Sequence, residues 1–151
     1  MADFELPVAF HFTVAFSGSG SRVSDAAFQE VGGLEAEIEV ETVTEGGENR
    51  FAHRLPKPVR HPNLTLKRGL SDDTSGLVQW CKATFENDFS QAIQPKAVVV
   101  SLCDAEGEPV ASWSVDRAYP VRWTTGSFDA MKNEIAIETI ELAYHSLKRT
   151  L

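Results

Sequence analysis

The chain has 151 residues, of which 42% are apolar and 24% are charged, and its formal net charge is −8. This length allows one domain with a hydrophobic core, and the composition excludes a disordered chain. The negative charge argues against general binding to nucleic acid, because phosphates would repel the protein. We therefore expect a single domain over residues 1–151, made in the cytoplasm. We expect no membrane anchoring, because no apolar run approaches the roughly 18 residues of a membrane span.

Two stretches in the first third of the chain alternate with a period of two, which predicts β-strands. The even positions from Val8 to Phe16 are all apolar, and the run SGSGS at 17–21 then predicts a turn. The second stretch runs from Leu34 to Thr42. Its apolar positions are Leu34, Ala36, Ile38 and Val40, and its acidic positions on the opposite face are Glu35, Glu37, Glu39 and Glu41.

The run TEGGENR at 44–50 is either a loop that binds phosphate or the tip of a hairpin. Glu48 would repel a phosphate, so Gly46 and Gly47 predict a hairpin turn. The basic residues that follow are interpreted as surface charges that complement the glutamate row across the hairpin. They are Arg50, Arg54, Lys57, Arg60, Lys67 and Arg68.

Three prolines in the run LPKPVRHP at 55–62 predict a stiff extended connection rather than a regular strand. The run NLTLKRG at 63–69 then predicts a strand with Leu64 and Leu66 on one face. One helix is predicted, ending near Asn87. Its N-cap candidates are Ser71, Asp72 and Asp73, and its apolar positions are Leu77, Trp80, Cys81 and Phe85.

The second half of the chain predicts further strands. The β-branched run AVVVSLC and the run VASWSV form a hairpin around the turn DAEGEP. Residues 119–133 are interpreted as a connection with one short helical turn. The last strand changes its apolar parity, which predicts a β-bulge near Glu138 and Thr139. The predicted fold is mainly β with one flanking α-helix, arranged as a β-barrel or sandwich.

No pattern in the sequence indicates an enzyme. The four histidines lack the spacing of metal ligands, and the two cysteines, Cys81 and Cys103, lie in no metal-binding or redox motif. A row of carboxylates along one flat strand forms neither a glycosidase pair nor a calcium loop. We expect no catalytic residues, no metal and no cofactor.

Several motifs occur in an order that resembles one protein family. They are FQEVGGL at 28–34, the acidic strand, EGGENR at 45–50, LP at 55–56, NLTLKRG at 63–69, Trp113 and NEIAIETIELA at 133–143. Together they resemble the tail-tube proteins of contractile phage tails and of phage-tail-like contractile injection systems. The resemblance extends from about Val8 to Leu147, and the tube protein of type VI secretion systems is related.

The resemblance implies a structural subunit of hexameric rings that stack into a hollow tube. The implied partners are other copies of the chain, a contractile sheath protein and the baseplate or tube-initiation proteins, and the lumen would carry DNA or an effector protein. Assembly is expected in the bacterial cytoplasm. The subunit belongs either to the repeated shaft or to a ring next to the baseplate.

A ring that stacks needs an axial contact, and the charged loop beside the proline segment is where we predict it. The predicted inter-ring residues are Thr44, Glu45, Gly46, Gly47, Glu48, Asn49, Arg50, Lys57 and Arg60. The row Glu35, Glu37, Glu39 and Glu41 either lines the lumen or faces the sheath. The alternative function is a barrel that binds a small ligand in a pocket lined by Phe10, Phe12, Trp113 and Trp123.

Overall fold

The computed structural model describes residues 10–18, 21–44, 46–47, 52–69, 75–86, 92–126 and 136–151. No helix in these ranges is long and apolar enough to cross a membrane. In chain order the elements are β1 (His11–Gly18), β2 (Ser21–Phe28), β3 (Glu30–Gly32), β4 (Glu37–Thr44), β5 (Ala52–Arg60), β6 (Leu64–Gly69), α1 (Gly76–Phe85), β7 (Lys96–Cys103), β8 (Pro109–Thr125), β9 (Ile137–Ala143) and β10 (Ser146–Arg149).

Eight strands form one antiparallel sheet in the order β2-β1-β7-β8-β9-β6-β3, with β10 paired to β8. The 17-residue strand β8 belongs to both halves of this sheet, because its first part pairs with β7 and β10 and its second part pairs with β9. Its backbone is irregular at Arg117, which has a positive φ of 52°, and its register to β9 shifts between Pro120 and Arg122. The prediction of a mainly β fold with one helix is confirmed, although the described strands do not close into a barrel.

The core lies between the two halves of the sheet and α1. Strand β6 buries Leu64 and Leu66, as predicted from their spacing, and the helix buries Leu77, Trp80 and Cys81 against them. The Trp80 ring stacks on a β1 phenylalanine, with 5.5 Å between ring centroids. Burial, with a smaller contribution from a nearby carboxylate, raises the pKa of the Cys81 thiol to about 12, so this thiol stays protonated at neutral pH.

A buried ion pair crosses this core. The Arg68 Nε lies 3.3 Å from the Glu138 Oε2, and both side chains are almost fully buried. The Trp123 Nε1 donates to the Glu138 Oε1 at 2.9 Å. The other end of the guanidinium donates to the Ser75 Oγ at 2.7 Å and lies over the Phe28 ring. Arg68 is therefore not one of the surface charges predicted to complement the glutamate row.

The inward position of Glu138 also corrects the predicted bulge in the last strand. Glu138, Ile140 and Leu142 all point into the core, and β9 pairs with β6 without a register shift. The apparent change of parity arose because a buried glutamate occupies an inward position. A second correction concerns the helix, whose N-cap is Ser75: its Oγ accepts from the Val78 amide at 3.4 Å. The predicted N-cap candidates at 71–73 lie outside the described residues.

Two segments predicted as connections are strands. Strand β5 continues through Pro56 and Pro58, since a two-stranded sheet leaves its outer edge open and proline tolerates an edge position. Residues 119–125 belong to β8, where a connection with one short helical turn was predicted, and the rest of that predicted connection lies mainly outside the described residues. Strand β2 was not predicted, because the run SRVSDAAF lacks a clear apolar alternation.

Candidate functional site

Strands β4 and β5 form a hairpin that is separate from the main sheet. They pair only with each other among the described strands, and every described side chain of the hairpin is exposed except that of Glu39, which is partly buried. The predicted turn at Gly46 and Gly47 is confirmed. The hairpin therefore projects from the body of the subunit and carries no core of its own.

One face of the hairpin is apolar. Ile38 lies opposite Val59, and Val40 lies opposite Pro56, on either side of a register shift. We call these four residues the hairpin apolar face. Nearer the tip, Val43 and Leu55 lie on the opposite face, and the exposed fractions of the five large aliphatic residues of the hairpin lie between 41% and 52%. Water-exposed aliphatic side chains gathered on one element are typical of a surface that another chain covers.

The other face carries the predicted glutamate row. Glu37, Glu39 and Glu41 alternate along β4 and constitute the hairpin acidic face. Arg60 lies opposite Glu37 and forms an exposed ion pair with Glu39, as predicted for charge complementarity across the hairpin. Glu35 differs from the prediction, because it precedes β4 and lies outside the strand.

The structure does not bring the predicted inter-ring residues into one cluster. Thr44, Gly46 and Gly47 lie at the tip, whereas Arg60 lies at the opposite end of the hairpin, about 23 Å away at roughly 3.3 Å per residue. Lys57 lies between them, beside the register shift. The remaining predicted residues, Glu45, Glu48, Asn49 and Arg50, lie outside the described residues.

The hairpin joins the body through a tight neck, defined here as residues 33–36 and 61–63 together with Tyr144. The Tyr144 hydroxyl donates to the Gly33 carbonyl at 2.7 Å and lies 3.3 Å from the Glu35 carbonyl. The His61 Nδ1 lies 2.9 Å from the same Glu35 oxygen, and the His61 and Tyr144 ring centroids are 5.0 Å apart. Burial raises the pKa of Tyr144, so its hydroxyl remains a donor at neutral pH.

Gly33 closes the neck at the backbone. Its φ is +88°, and a Cβ atom at this position would lie 2.0 Å from the Asn63 carbonyl oxygen. Only glycine permits both this conformation and this approach. The residue types of the neck were not predicted as functional, although the sequence signal existed: GG at 32–33 and His61 flank the two hairpin strands.

The residues of the alternative ligand pocket do not line a common cavity. Phe12 and Trp123 pack against the core, and the Trp123 indole nitrogen binds Glu138. Trp113 lies beneath the Arg149 guanidinium, 5.8 Å from ring centroid to Cζ. Phe10 is exposed ahead of β1. The ligand-binding alternative is not supported.

A sheet-rich body with an exposed hairpin of apolar and acidic faces is typical of a structural assembly subunit. The family model described as T4-like virus tail tube protein gp19 matches residues 8–148. The chain belongs to this family of tail tube proteins, as its motifs indicated. None of the curated protein sequences is significantly similar to it.

Solved structures agree with this family. A chain of the anti-feeding prophage baseplate is 31% identical, with a TM-score of 0.78, and the match covers 95% of this chain and 94% of that one. A chain of the extended sheath–tube complex of the PVC extracellular contractile injection system is 24% identical, with a TM-score of 0.72 and coverages of 98% and 93%. A type six secretion system protein is 10% identical, with a TM-score of 0.59 and coverages of 93% and 83%, which shows a shared fold.

Proposed function

We propose that this chain forms hexameric rings that stack into the hollow inner tube of a phage-tail-like contractile injection particle. The sheath protein surrounds the tube, the lumen carries DNA or an effector protein, and the subunit itself performs no catalysis. Assembly takes place in the bacterial cytoplasm, on a baseplate or tube-initiation complex. The family, and the similarity to a baseplate chain of the anti-feeding prophage, support this proposal.

The observation that carries the proposal is the exposed hairpin. Each half-exposed valine or isoleucine of the hairpin apolar face gains on the order of 1 kcal/mol when another chain covers it. The isolated subunit leaves this gain unused, so the hairpin is a contact element for a second subunit. Its glycine turn lies at the end of the hairpin opposite the neck and is the part that we assign to the axial contact between rings.

The two faces of the hairpin support a direction for the glutamate row. If a neighbouring subunit covers the hairpin apolar face, the hairpin acidic face stays in water. Inside a sheathed tube the lumen is the water-filled side, so we propose that Glu37, Glu39 and Glu41 line it. An acidic lumen would repel acidic cargo and keep it from adhering to the wall.

The similarity to a chain of the anti-feeding prophage baseplate bears on the position of the ring along the particle. The 31% identity to a baseplate chain favours a ring close to the baseplate over a shaft subunit. Polymer length distinguishes the two roles. A ring next to the baseplate is expected to form short assemblies in vitro, whereas a shaft subunit is expected to extend without limit.

The substitution Val40→Asp tests the proposal. A charge in the hairpin apolar face should abolish ring or tube formation while the subunit keeps its melting temperature, because Val40 contributes nothing to the core of the free subunit. Val40→Ile, which keeps the face apolar, is the matched control and should assemble normally. Light scattering and negative-stain microscopy measure the result. Normal assembly of the Asp variant would refute the hairpin contact.

A further inference from the structure

We infer that the neck holds the hairpin at one fixed orientation before assembly, and that Tyr144 and His61 are the positioning residues. This inference rests on the proposed function, since it concerns how the hairpin is presented to another subunit. The contact residues alone are then not sufficient for assembly. The hairpin must also be oriented correctly in the free subunit.

A hairpin without side-chain contacts to the body would swing on its two connecting segments. Among the described residues, β4 and β5 pair with no other strand, so the hairpin itself does not fix its own angle. The neck is where that angle is set. Gly33 and Asn63 bring the two connecting segments into backbone contact, which closes the neck. This contact alone does not stop the hairpin from rotating about the neck.

Tyr144 links the neck to the rigid body. It lies between β9 and β10, which are both paired with the long strand β8. Its single phenolic hydrogen is shared by the carbonyl oxygens of Gly33 and Glu35, at 2.7 and 3.3 Å. These two oxygens lie on the segment that leads into β4. The hydroxyl therefore ties the entry of the hairpin to the main sheet.

His61 ties the exit of the hairpin to the same point. A carbonyl oxygen only accepts, so the His61 Nδ1 must carry the hydrogen that reaches the Glu35 oxygen at 2.9 Å. The His61 ring also packs on the Tyr144 ring. One backbone oxygen thus receives donors from the exit segment and from the main sheet. Together the two side chains fix both connecting segments relative to the body.

A hairpin held in one orientation lowers the entropic cost of association. A mobile hairpin would lose its orientational freedom at each contact, and this cost would recur for every subunit in a ring. Losing one hydrogen bond that selects the oriented state should lower the ratio of oriented to misoriented hairpins by about threefold to tenfold. The initial assembly rate should fall with the population of the oriented state. The thermal stability of the body should change little, because Tyr144→Phe keeps the ring that packs against the core and removes only the hydroxyl, and His61 is not part of the core.

The hairpin orientation is measurable in the unassembled full-length chain. Nitroxide labels on Thr42→Cys in β4 and Lys148→Cys in β10 give the distance between hairpin and body by pulsed electron paramagnetic resonance. The native thiols Cys81 and Cys103 are buried and should not react. We expect one narrow distance distribution for the parent chain and at least a twofold broader one for Tyr144→Phe. A broad distribution in the parent chain would overturn the inference.

Tyr119→Phe is the matched control. Tyr119 is also half-buried and lies close by on β8, but its hydroxyl has no hydrogen bond to the described residues. Its loss should leave the distribution narrow. A Tyr144→Phe distribution as narrow as that of Tyr119→Phe would overturn the role of the hydroxyl.

Two substitutions at His61 test the second positioning residue. The side-chain nitrogen of Asn can replace the Nδ1 donor, so His61→Asn should keep the narrow distribution, whereas His61→Leu should broaden it. Equal widths for these two variants would overturn the role of the donor. The distance measurement requires no assembly, so it fails or succeeds independently of the hairpin contact that Val40→Asp tests.

Assembly provides the second readout. Tyr144→Phe and His61→Leu should assemble more slowly than the parent chain, by up to about tenfold, with a melting temperature close to that of the parent chain. A broadened distribution with an unchanged assembly rate would show that hairpin orientation does not matter, and would overturn the inference.

Discussion

At the scale of single residues, Arg68 and Glu138 form the ionic centre of the described core. The pair connects β6 to β9, and the contact of Arg68 with the N-cap serine extends the connection to α1. Each charged group also has neutral partners, including the indole of Trp123 and the ring of Phe28. Buried charges are tolerated when they are paired and hydrogen-bonded in this way.

Replacing Glu138 with Gln should destabilise the subunit strongly. The amide keeps the shape and still accepts from Trp123, but it removes the buried negative charge that pairs with the Arg68 Nε. Removing one partner of a buried pair typically costs about 3–5 kcal/mol. The free energy of unfolding, measured by chemical denaturation, gives this cost. Glu141→Gln on the same strand removes only the partly exposed carboxylate beside Arg122 and should cost under about 1 kcal/mol; equal costs would contradict a special role for the buried pair.

The sequence predicted inward residues where apolar side chains mark a face, as with Leu64 and Leu66. It did not predict that Arg68 and Glu138 point inward. Their charges indicate a surface position, and their burial depends on the ion pair and on the hydrogen bonds to Ser75 and Trp123. The two residues are 70 positions apart, so no local pattern shows the pairing. A buried charge is visible only when the strand register is known.

At the scale of elements, the hairpin shows how one sequence pattern has two structural outcomes. The alternation in β4 predicts a strand with two different faces, and the structure has them. Alternation does not reveal whether a face meets the subunit's own core or another chain. Both faces of this hairpin are exposed, so the proposed contact surface rests on the structure, while the turn and the glutamate row were predicted from the sequence.

Gly47→Val should yield subunits that form rings but not stacked tubes. Gly47 has a φ of +87°, which a β-branched residue adopts only with strain, although the space around it is open. The tip should therefore change shape while the strands persist. Gly47→Asn is the control, because Asn tolerates a positive φ and should stack normally. Negative-stain microscopy distinguishes rings from tubes, and tubes of normal length from the Val variant would remove the tip from the axial contact.

Proline explains why the segment that forms β5 was wrongly predicted to be a connection. In a sheet interior each proline would remove a ladder hydrogen bond, which is why the run with three prolines was interpreted as a connection. Among the described strands β5 pairs only with β4, so Pro56 and Pro58 are accommodated at an edge and beside a register shift. The same prolines keep the outer edge of β5 from pairing indiscriminately with other strands.

At the scale of the whole molecule, net charge opposes assembly. Each subunit carries a formal charge of −8, so subunits repel one another as they approach. Salt strengthens association through an apolar face, because it screens the repulsion between subunits. Salt weakens association that depends mainly on ion pairs. The salt dependence of assembly therefore reports which kind of contact dominates.

We expect the critical concentration for assembly to fall as sodium chloride is raised from about 0.01 M to about 0.15 M, where the screening length shortens from roughly 30 Å to 8 Å. Sedimentation of polymer at several salt concentrations measures it. The triple variant Glu37→Gln, Glu39→Gln and Glu41→Gln lowers the negative charge by three and should show a weaker dependence. A critical concentration that rises with salt would indicate that ion pairs dominate the contact.

The exposed hairpin also has a consequence for the cell that makes this protein. The exposed aliphatic side chains on both faces of the hairpin are an aggregation hazard while the subunit is free. The hazard grows with the pool of free chains and disappears once each hairpin is covered. We therefore expect synthesis to be matched to consumption by growing particles, so that a cell lacking the other particle components would accumulate this chain as insoluble material.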